Sequence, residues 1–358
     1  MGAAKVDWSM GSSAARLVDW KTAAGIGRRV AGPGVSVPAV ARARLREDFG
    51  ELVPLSESLI REFTGLSVND GFRSRAWVMS RGEWISQNLR GMQRLLEPLA
   101  ARVLGDGKHR ADFRRKALGG QIGALLGYVS RKVLGQYDVF LPPDDEGILY
   151  FVGPNVAETE RRFALPDRDF RLWISLHEVT HRVQFGAAPW LRGYLSGLID
   201  TYLSSVEIDP GALMRQLRAA SEEARRSQEW RGVGMLFLLM TQEQRDLFQR
   251  MQALMSLLEG HASFVMNGAA QGRVTDLDRL RRSLKERRRS SGVERAFQRS
   301  IGFDSKIRQY DVGERFVTES VERAGMDGFN LVWQRESNLP TLFEIQNPEA
   351  WLERVARA

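Results

Sequence analysis

Apolar residues recur at intervals of three and four along most of the chain, and this period predicts helices. The ranges with this pattern are 14–30, 38–101, 110–134, 172–185, 190–203, 242–267, 304–324 and 349–357. In the second range, seven residues form one apolar stripe that we expect to face a core: Trp77, Trp84, Ile85, Leu89, Met92, Leu95 and Leu96. The third range contains four glycines that we expect to permit close helix packing rather than to bind phosphate, since no strand precedes them: Gly119, Gly120, Gly123 and Gly127.

Two helix starts carry recognisable capping sequences. Asp209-Pro210 places a capping residue directly before a proline of the first turn. Thr241 and Gln244 have the spacing of a capping box, which predicts the start of the helix at 242–267.

The period changes to that of strands in two short runs. Tyr137–Leu141 and Ile148–Val152 are β-type, and the segment 142–147 between them is rich in turn-forming residues. We therefore expect a hairpin or a small antiparallel sheet, placed beside the helix at 172–185. The predicted fold class is mainly α (α+β).

The helix at 172–185 is apolar on nearly every side, which is typical of a helix in a protein interior. Three of its polar residues are His177, Glu178 and His181. Buried polar groups are costly unless they have partners, and a bound cation would supply one.

The order of these three residues is H-E-x-x-H. On a helix, His177 and His181 project from the same face, where their ring nitrogens can share one metal ion. Glu178 lies about 100° round the helix, beside the metal, where it can act as a general base on a metal-activated water. Zinc is the expected cofactor, because imidazole suits it and a catalytic zinc has three protein ligands. The alternative is two histidines that only pack in a core or on a surface.

The expected third ligand is Glu259. On the helix at 242–267 it falls on an otherwise apolar line formed by Phe248, Met255, Ala262 and Met266. A carboxylate placed there needs a partner, and a metal ion would be one. The chain has no cysteine, so thiolate ligands and disulfides are excluded.

Alternatives to Glu259 remain open. His261 is a candidate ligand or a hydrogen-bonding group behind the ligands, although it points about 200° away from Glu259 on the helix. Another Asp or Glu is also possible, and Glu259 could instead pair with an arginine.

The formal net charge of +8 raises the question of nucleic-acid binding. The block from Arg279 to Arg289 has seven basic residues and one acid, so it contributes 7 − 1 = +6. Because no aromatic residues interleave this block, we expect a solvated connector, and nucleic-acid binding stays an alternative.

The chain of 358 residues is long enough for one large domain or two. We expect an irregular and helical lead-in at 1–37, a helical subdomain at 38–135 and the region of the metal site at 136–358. Residues 1–15 lack an apolar core of signal-peptide length, and the longest apolar run, 233–240, is too short to span a bilayer. We expect a soluble cytoplasmic protein without a membrane partner.

The chain resembles a zincin-like family of bacterial candidate hydrolases, over the range from Trp20 to Trp351. The resemblance is carried by these segments: His177-Glu-Val-Thr-His181, Leu257-Leu-Glu-Gly-His-Ala262, Lys306-Ile-Arg-Gln-Tyr310, Asn338-Leu-Pro-Thr-Leu342 and Pro348-Glu-Ala-Trp351. One branch of that family is described as associated with biosynthesis of the deazaflavin coenzyme. The resemblance implies a mainly helical metallopeptidase fold with Glu178 as base and Glu259 as third ligand.

The predicted function is a zinc-dependent hydrolase, most simply a metallopeptidase acting on a peptide or protein. Tyr310 has a possible role as donor to the oxyanion, and its alternative is a core tyrosine. In zinc peptidases an extended substrate lies along a sheet edge, and Ile148–Val152 is the strand expected to supply it. The rival function is a non-catalytic helical scaffold or binding protein that retains a metal site.

Overall fold

The computed structural model describes residues 13–68, 74–104, 112–139, 147–205, 240–288 and 304–356. The predicted helix start at Asp209-Pro210 lies outside these residues, and so do most of the predicted hairpin loop and Arg289.

Helices make up most of the described chain, as predicted. They are α1 (Ser13–Leu17), α2 (Trp20–Ala31), α3 (Ala39–Thr64), α4 (Arg81–Leu104), α5 (Asp112–Ser130), α6 (Gly153–Phe163), α7 (Asp167–Ala187), α8 (Trp190–Ser205), α9 (Gln242–Ala269), α10 (Leu277–Arg288), α11 (Asp304–Asn330), α12 (Leu342–Gln346) and α13 (Pro348–Ala356). Two short 3-10 turns, Leu331–Trp333 and Glu336–Asn338, lie between α11 and α12. The capping box predicted at Thr241 and Gln244 is confirmed: each residue's side chain accepts the other's backbone N–H, at 3.2 and 3.0 Å.

The glycines of α5 bring its backbone against that of α2. A Cβ added at Gly119 would lie 2.4 Å from the carbonyl oxygen of Asp19, and one at Gly123 would lie 2.3 Å from that of Ala23. Gly127 repeats this contact one turn later. The prediction that these glycines serve helix packing is confirmed.

The N-terminal helices α1 and α2 are part of the core. Glu97 on α4 accepts the first backbone N–H groups of α1, from Ser13 at 2.6 Å and from Ala14 at 2.9 Å. Asp19 caps α2 by accepting the N–H of Thr22 at 2.8 Å, and Trp20 is buried. Two carboxylates thus satisfy helix ends that would otherwise lack hydrogen-bond partners.

The sheet has three strands in the order β1 (Arg75–Met79), β3 (Ile148–Val152) and β2 (Gly135–Tyr137). β2 pairs antiparallel with β3, as predicted, whereas β1 pairs parallel with β3. The sheet is therefore mixed rather than purely antiparallel, and the mainly helical fold class is confirmed.

The prediction that Trp77 begins a helical stripe is wrong. Trp77 lies on β1, is 38% exposed, and packs edge-on against Tyr150 of the neighbouring strand. The helix starts only at Arg81, because Ser80 and Glu83 form a capping box: Ser80 N–H donates to Glu83 Oε2 at 2.7 Å and Glu83 N–H donates to Ser80 Oγ at 3.2 Å.

The expectation that Ile148–Val152 supplies a free sheet edge is also wrong. This strand is central, with β1 along one side and β2 along the other, and four of its five residues are buried. Its continuous apolar sequence fits a strand that is covered on both faces. The strand predicted at Tyr137–Leu141 also differs, because β2 begins at Gly135 and ends at Tyr137. Residues 140 and 141 of that prediction lie outside the described ranges.

Two compact units can be distinguished, one formed by 1–186 with 265–280 and the other by 187–264 with 281–358. The first contains the sheet and helices α1–α7. The second has a cluster of buried aromatic side chains in which Phe316 and Phe329 both contact Trp351. The domain boundaries expected from the sequence stay a prediction. No helix in the described ranges is long and apolar enough to cross a membrane.

Candidate metal centre

Helix α7 carries the H-E-x-x-H residues and is fixed at its N-terminal half by buried charges. Arg171 donates from Nε and Nη2 to the two carboxylate oxygens of Glu160 on α6, at 2.7 and 2.9 Å, and it also pairs with Asp48 of α3. Burial raises the pKa of Glu160, against the opposing effect of the Arg171 guanidinium. A planar guanidinium held on several sides fixes the helix it belongs to.

The two histidines face each other one turn apart, as their spacing predicts. His177 Nε2 and His181 Nε2 are 3.3 Å apart, and the two rings are nearly perpendicular. Two nitrogens bound to one tetrahedral zinc at about 2.0–2.1 Å each would be separated by about 3.3 Å. The pair therefore already has the separation that a shared zinc ion requires.

Glu259 on α9 completes a group of possible ligands. One ligand atom from each of His177, His181 and Glu259 lies within 4.8 Å of the others, and all three residues are half-buried. Two imidazoles and a carboxylate form a donor set that suits zinc. The residues present thus fit the metal by both chemistry and spacing.

Gln184 orients His181, and sequence analysis did not identify it. Its Oε1 lies 3.0 Å from His181 Nδ1, and the side chain is fully buried. In the tautomer with the proton on Nδ1, the ring donates to Gln184 and turns the lone pair of Nε2 towards His177. Gln184 follows His181 by three residues on α7, a spacing that could have indicated the contact.

Glu178 lies against the edge strand β2. Its Oε2 accepts the backbone N–H of Tyr137 at 3.1 Å, and only 8% of the residue is exposed. A Cβ added at Gly135 would lie 2.5 Å from Glu178 Cγ and 2.9 Å from its Cδ and Oε1. The carboxylate therefore occupies space that a side chain at position 135 would fill.

Glycines also bring another helix close to the backbone beside Glu259. A Cβ at Gly260 would lie 2.1 Å from the carbonyl carbon of Gly313 on α11, and one at Gly313 would lie 2.0 Å from the carbonyl oxygen of Ser256. This crossing of α9 and α11 fixes the helix turn that carries Glu259. Gly260 thus permits the close approach of the two helices.

His261, the alternative ligand, points elsewhere. Its ring is fully buried, stacks on Phe329 at 5.4 Å and contacts Trp333 at 5.1 Å. The group of possible ligands within the described ranges contains Glu259 and not His261. This arrangement is consistent with the expected angle between the two residues.

Tyr310 and the basic block were also singled out in the sequence. The backbone of Tyr310 belongs to α11, but its side chain is outside the described part of the chain, so its role stays a prediction. In the basic block, Arg279 donates to the carbonyl oxygens of Phe163 and Ala164 at 3.1 and 2.8 Å, where it caps the end of α6. At least this arginine serves the fold.

Comparisons with known proteins identify the family to which the chain belongs. A family model described as zincin-like metallopeptidase matches residues 18–352, a range that includes the histidine pair and Glu259. A crystal structure from Chloroflexus aurantiacus, described as a candidate hydrolase with a novel fold, is 33% identical, with a TM-score of 0.70. That match covers 96% of this chain and 100% of the other. No curated protein matches the chain.

Proposed function

The chain belongs to the zincin-like metallopeptidase family, and from this premise we propose that it is a zinc-dependent hydrolase whose substrates are peptides or proteins. The observation that carries the proposal is the group of three ligand atoms from His177, His181 and Glu259 within 4.8 Å of one another. Glu178 directly follows the first histidine of this group on α7.

His177, His181 and Glu259 would hold the zinc ion. When bound, zinc acidifies a water molecule and polarises the carbonyl group of the substrate. Glu178 takes the proton of the attacking water and passes it to the leaving amine. Because Oε2 of Glu178 accepts the Tyr137 N–H, we assign this proton transfer to Oε1.

The number of ligands favours catalysis over a purely structural metal site. A structural zinc is usually closed by four protein ligands, whereas a catalytic zinc has three. In the ranges that the structure describes, the group has three members. This number supports a hydrolase function over the alternative of a non-catalytic scaffold that retains a metal site.

The substrate class is proposed from the strand beside the base. β2 pairs with β3 along one side, and Glu178 lies against it. An extended peptide can add to a strand of this kind through main-chain hydrogen bonds, whatever its side chains. The Tyr137 N–H would not be one of the donors, because Glu178 already accepts it. Placed there, a peptide bond would come close to the Glu178 carboxylate.

The experiment that tests the function is the substitution Glu178→Gln. It keeps the size of the side chain but removes the base, so we expect zinc to bind as in the wild type and hydrolysis of a peptide library to fall by about 10²–10⁴-fold. Glu286→Gln is the matched control, because Glu286 is exposed on α10, and it should leave both properties unchanged.

Zinc content is measured on protein purified without added metal, and turnover on protein loaded with one equivalent of zinc. Full turnover by Glu178→Gln would remove Glu178 from the mechanism. If the wild type binds no zinc, or if His181→Ala binds zinc as tightly as the wild type, the proposed metal site is wrong.

A further inference from the structure

Gly135 is the residue of β2 that lies directly under the Glu178 carboxylate. The three atoms nearest to a Cβ built at this position are all in Glu178: Cγ at 2.5 Å, Cδ at 2.9 Å and Oε1 at 2.9 Å. Real Cβ atoms do not approach other heavy atoms so closely, so any larger residue would require Glu178 to move. A glycine within a strand often marks such a close approach.

The packing of β2 against α7 explains why this contact and the Tyr137 hydrogen bond occur together. Gly135 and Tyr137 are two residues apart, so they face the same side of the sheet. Glu178 and Phe185 are seven residues apart, about two turns, so they share one side of α7. The ring of Tyr137 packs against Phe185 at 6.0 Å, and Gly135 then falls opposite Glu178.

The requirement for glycine here is spatial rather than conformational. Gly135 is absent from the glycines with positive φ, so an alanine could adopt its backbone conformation without strain. Substitution therefore tests the space below the carboxylate and not the shape of the strand.

We propose that Gly135 is a positioning residue for Glu178: the missing side chain leaves a slot on β2, in which the Tyr137 N–H holds the carboxylate at the place where it acts as base. This proposal rests on the proposed function for its catalytic consequence. The position of the carboxylate itself can be tested without any activity.

The first test is Gly135→Ala in the full-length, zinc-loaded protein. The added methyl displaces the carboxylate, so we expect kcat to fall by about 10²-fold, in the range that loss of a general base produces, with KM nearly unchanged. Zinc affinity, measured by competition with a chelator, should change by less than the roughly 10-fold that loss of a ligand's partner costs. Gly50→Ala is the control, because Gly50 is exposed on α3 with no atom within 4 Å of an added Cβ.

The second test needs no substrate. The Tyr137 amide donates to Glu178 Oε2, so hydrogen exchange of a peptide fragment spanning residues 135–137 reports whether the carboxylate is in its slot. We expect faster exchange at Tyr137 in both Gly135→Ala and Glu178→Ala, and wild-type exchange in Gly50→Ala.

A double variant separates positioning from general damage to the fold. Glu178→Ala removes Cγ, Cδ and Oε1, the three atoms that the added methyl would meet. Gly135→Ala should therefore lower the free energy of unfolding in the wild-type background and lower it much less in the Glu178→Ala background. Non-additivity of this kind is expected only for residues in direct contact.

The outcomes are distinguishable. Wild-type kcat and wild-type Tyr137 exchange in Gly135→Ala would overturn the proposal, as would fully additive effects in the double variant. If the wild-type protein hydrolyses no peptide, the proposed function fails, while the exchange measurement still decides whether Gly135 positions Glu178. If Gly135→Ala does not fold, the test is Tyr137 hydrogen exchange in Glu178→Ala. Exchange at the wild-type rate in that variant would show that the Tyr137 N–H does not hold the Glu178 carboxylate, and it would overturn the proposal.

Discussion

Two regions of the first unit use glycine to bring groups together, with different results. Where α2 crosses α5, Gly119 and Gly123 face backbone carbonyl oxygens of Asp19 and Ala23. Where β2 meets α7, the three atoms nearest to a Cβ added at Gly135 all belong to the side chain of Glu178. A backbone cannot move aside without moving the whole helix, whereas a side chain can rotate. The same residue type should therefore control stability in the first region and chemistry in the second.

Gly123→Ala should have the largest effect on stability. Its methyl would lie 2.3 Å from the carbonyl oxygen and 2.9 Å from the Cα of Ala23, so the helices must separate. We expect the free energy of unfolding to fall by about 2–3 kcal/mol, as for overpacking of a tight core, while the folded fraction binds zinc normally. Urea denaturation and chelator competition measure the two quantities.

Gly25→Ala is the control for that substitution. Gly25 lies on exposed α2 surface with no atom within 4 Å of an added Cβ. The change should stabilise by about 0.5–1 kcal/mol through helix propensity. If Gly123→Ala were as stable as Gly25→Ala, the glycines at the crossing of α2 and α5 would not control stability, and the contrast with Gly135 would be wrong.

Gln184→Leu should weaken zinc binding and leave stability nearly unchanged, the opposite of Gly123→Ala. It removes the acceptor 3.0 Å from His181 Nδ1 but keeps most of the buried volume. We expect zinc affinity to fall by about 10–100-fold, the usual loss when a partner of a ligand is removed, with a small change in unfolding free energy. The absorption spectrum of the cobalt-substituted protein would report altered geometry of the site.

Gln121→Leu serves as the matched control, since Gln121 is exposed on α5 and the change should leave metal affinity unaltered. Wild-type affinity in Gln184→Leu would show that the His181 ring is oriented without Gln184.

Glu344→Gln should have the smallest effect, and only on stability. Burial acts to raise the pKa of Glu344, but hydrogen bonds from Arg354 and Thr341 outweigh it, so the pKa is held below its ordinary value. The Glu344 side chain completes the capping box of α12 with Thr341. We expect a loss of about 1 kcal/mol at neutral pH, typical of a cap.

The sign of its pH dependence follows from that lowered pKa. The stabilisation by Glu344 is fully present above the pKa of the unfolded chain, and it is lost as the pH falls through the lower pKa of the folded state. The difference in unfolding free energy between wild type and Glu344→Gln should therefore shrink from neutral pH towards about pH 3. A difference that stays constant over this range would show that the carboxylate charge is not involved.

Local patterns predicted the helices because their signals lie within a few residues. The capping box at Thr241 and Gln244 and the packing glycines of α5 are examples. The strand Arg75–Met79 was missed although Ser80 and Glu83 show where the helix starts. Its identity as a strand depends on pairing with β3, a contact that no local pattern contains.

The same limit applies to the candidate site. The spacing of His177 and His181 is local, and the apolar line on α9 indicated Glu259. Gln184 could have been inferred from its place one turn after His181. Gly135 could not, because its importance comes from Glu178, a residue 43 positions away (178 − 135 = 43) that reaches it only through the packing of α7 on the sheet.

The central place of β3 also bears on how the protein folds. β1 pairs with β3 across a separation of 73 positions in the sequence, from Arg75 to Ile148 (148 − 75 = 73). Such distant pairings form slowly compared with helices. The surface on which Glu178 rests is part of this sheet. During refolding, the H-E-x-x-H helix can therefore exist before its glutamate has a fixed place, so catalytic competence should return later than helical content.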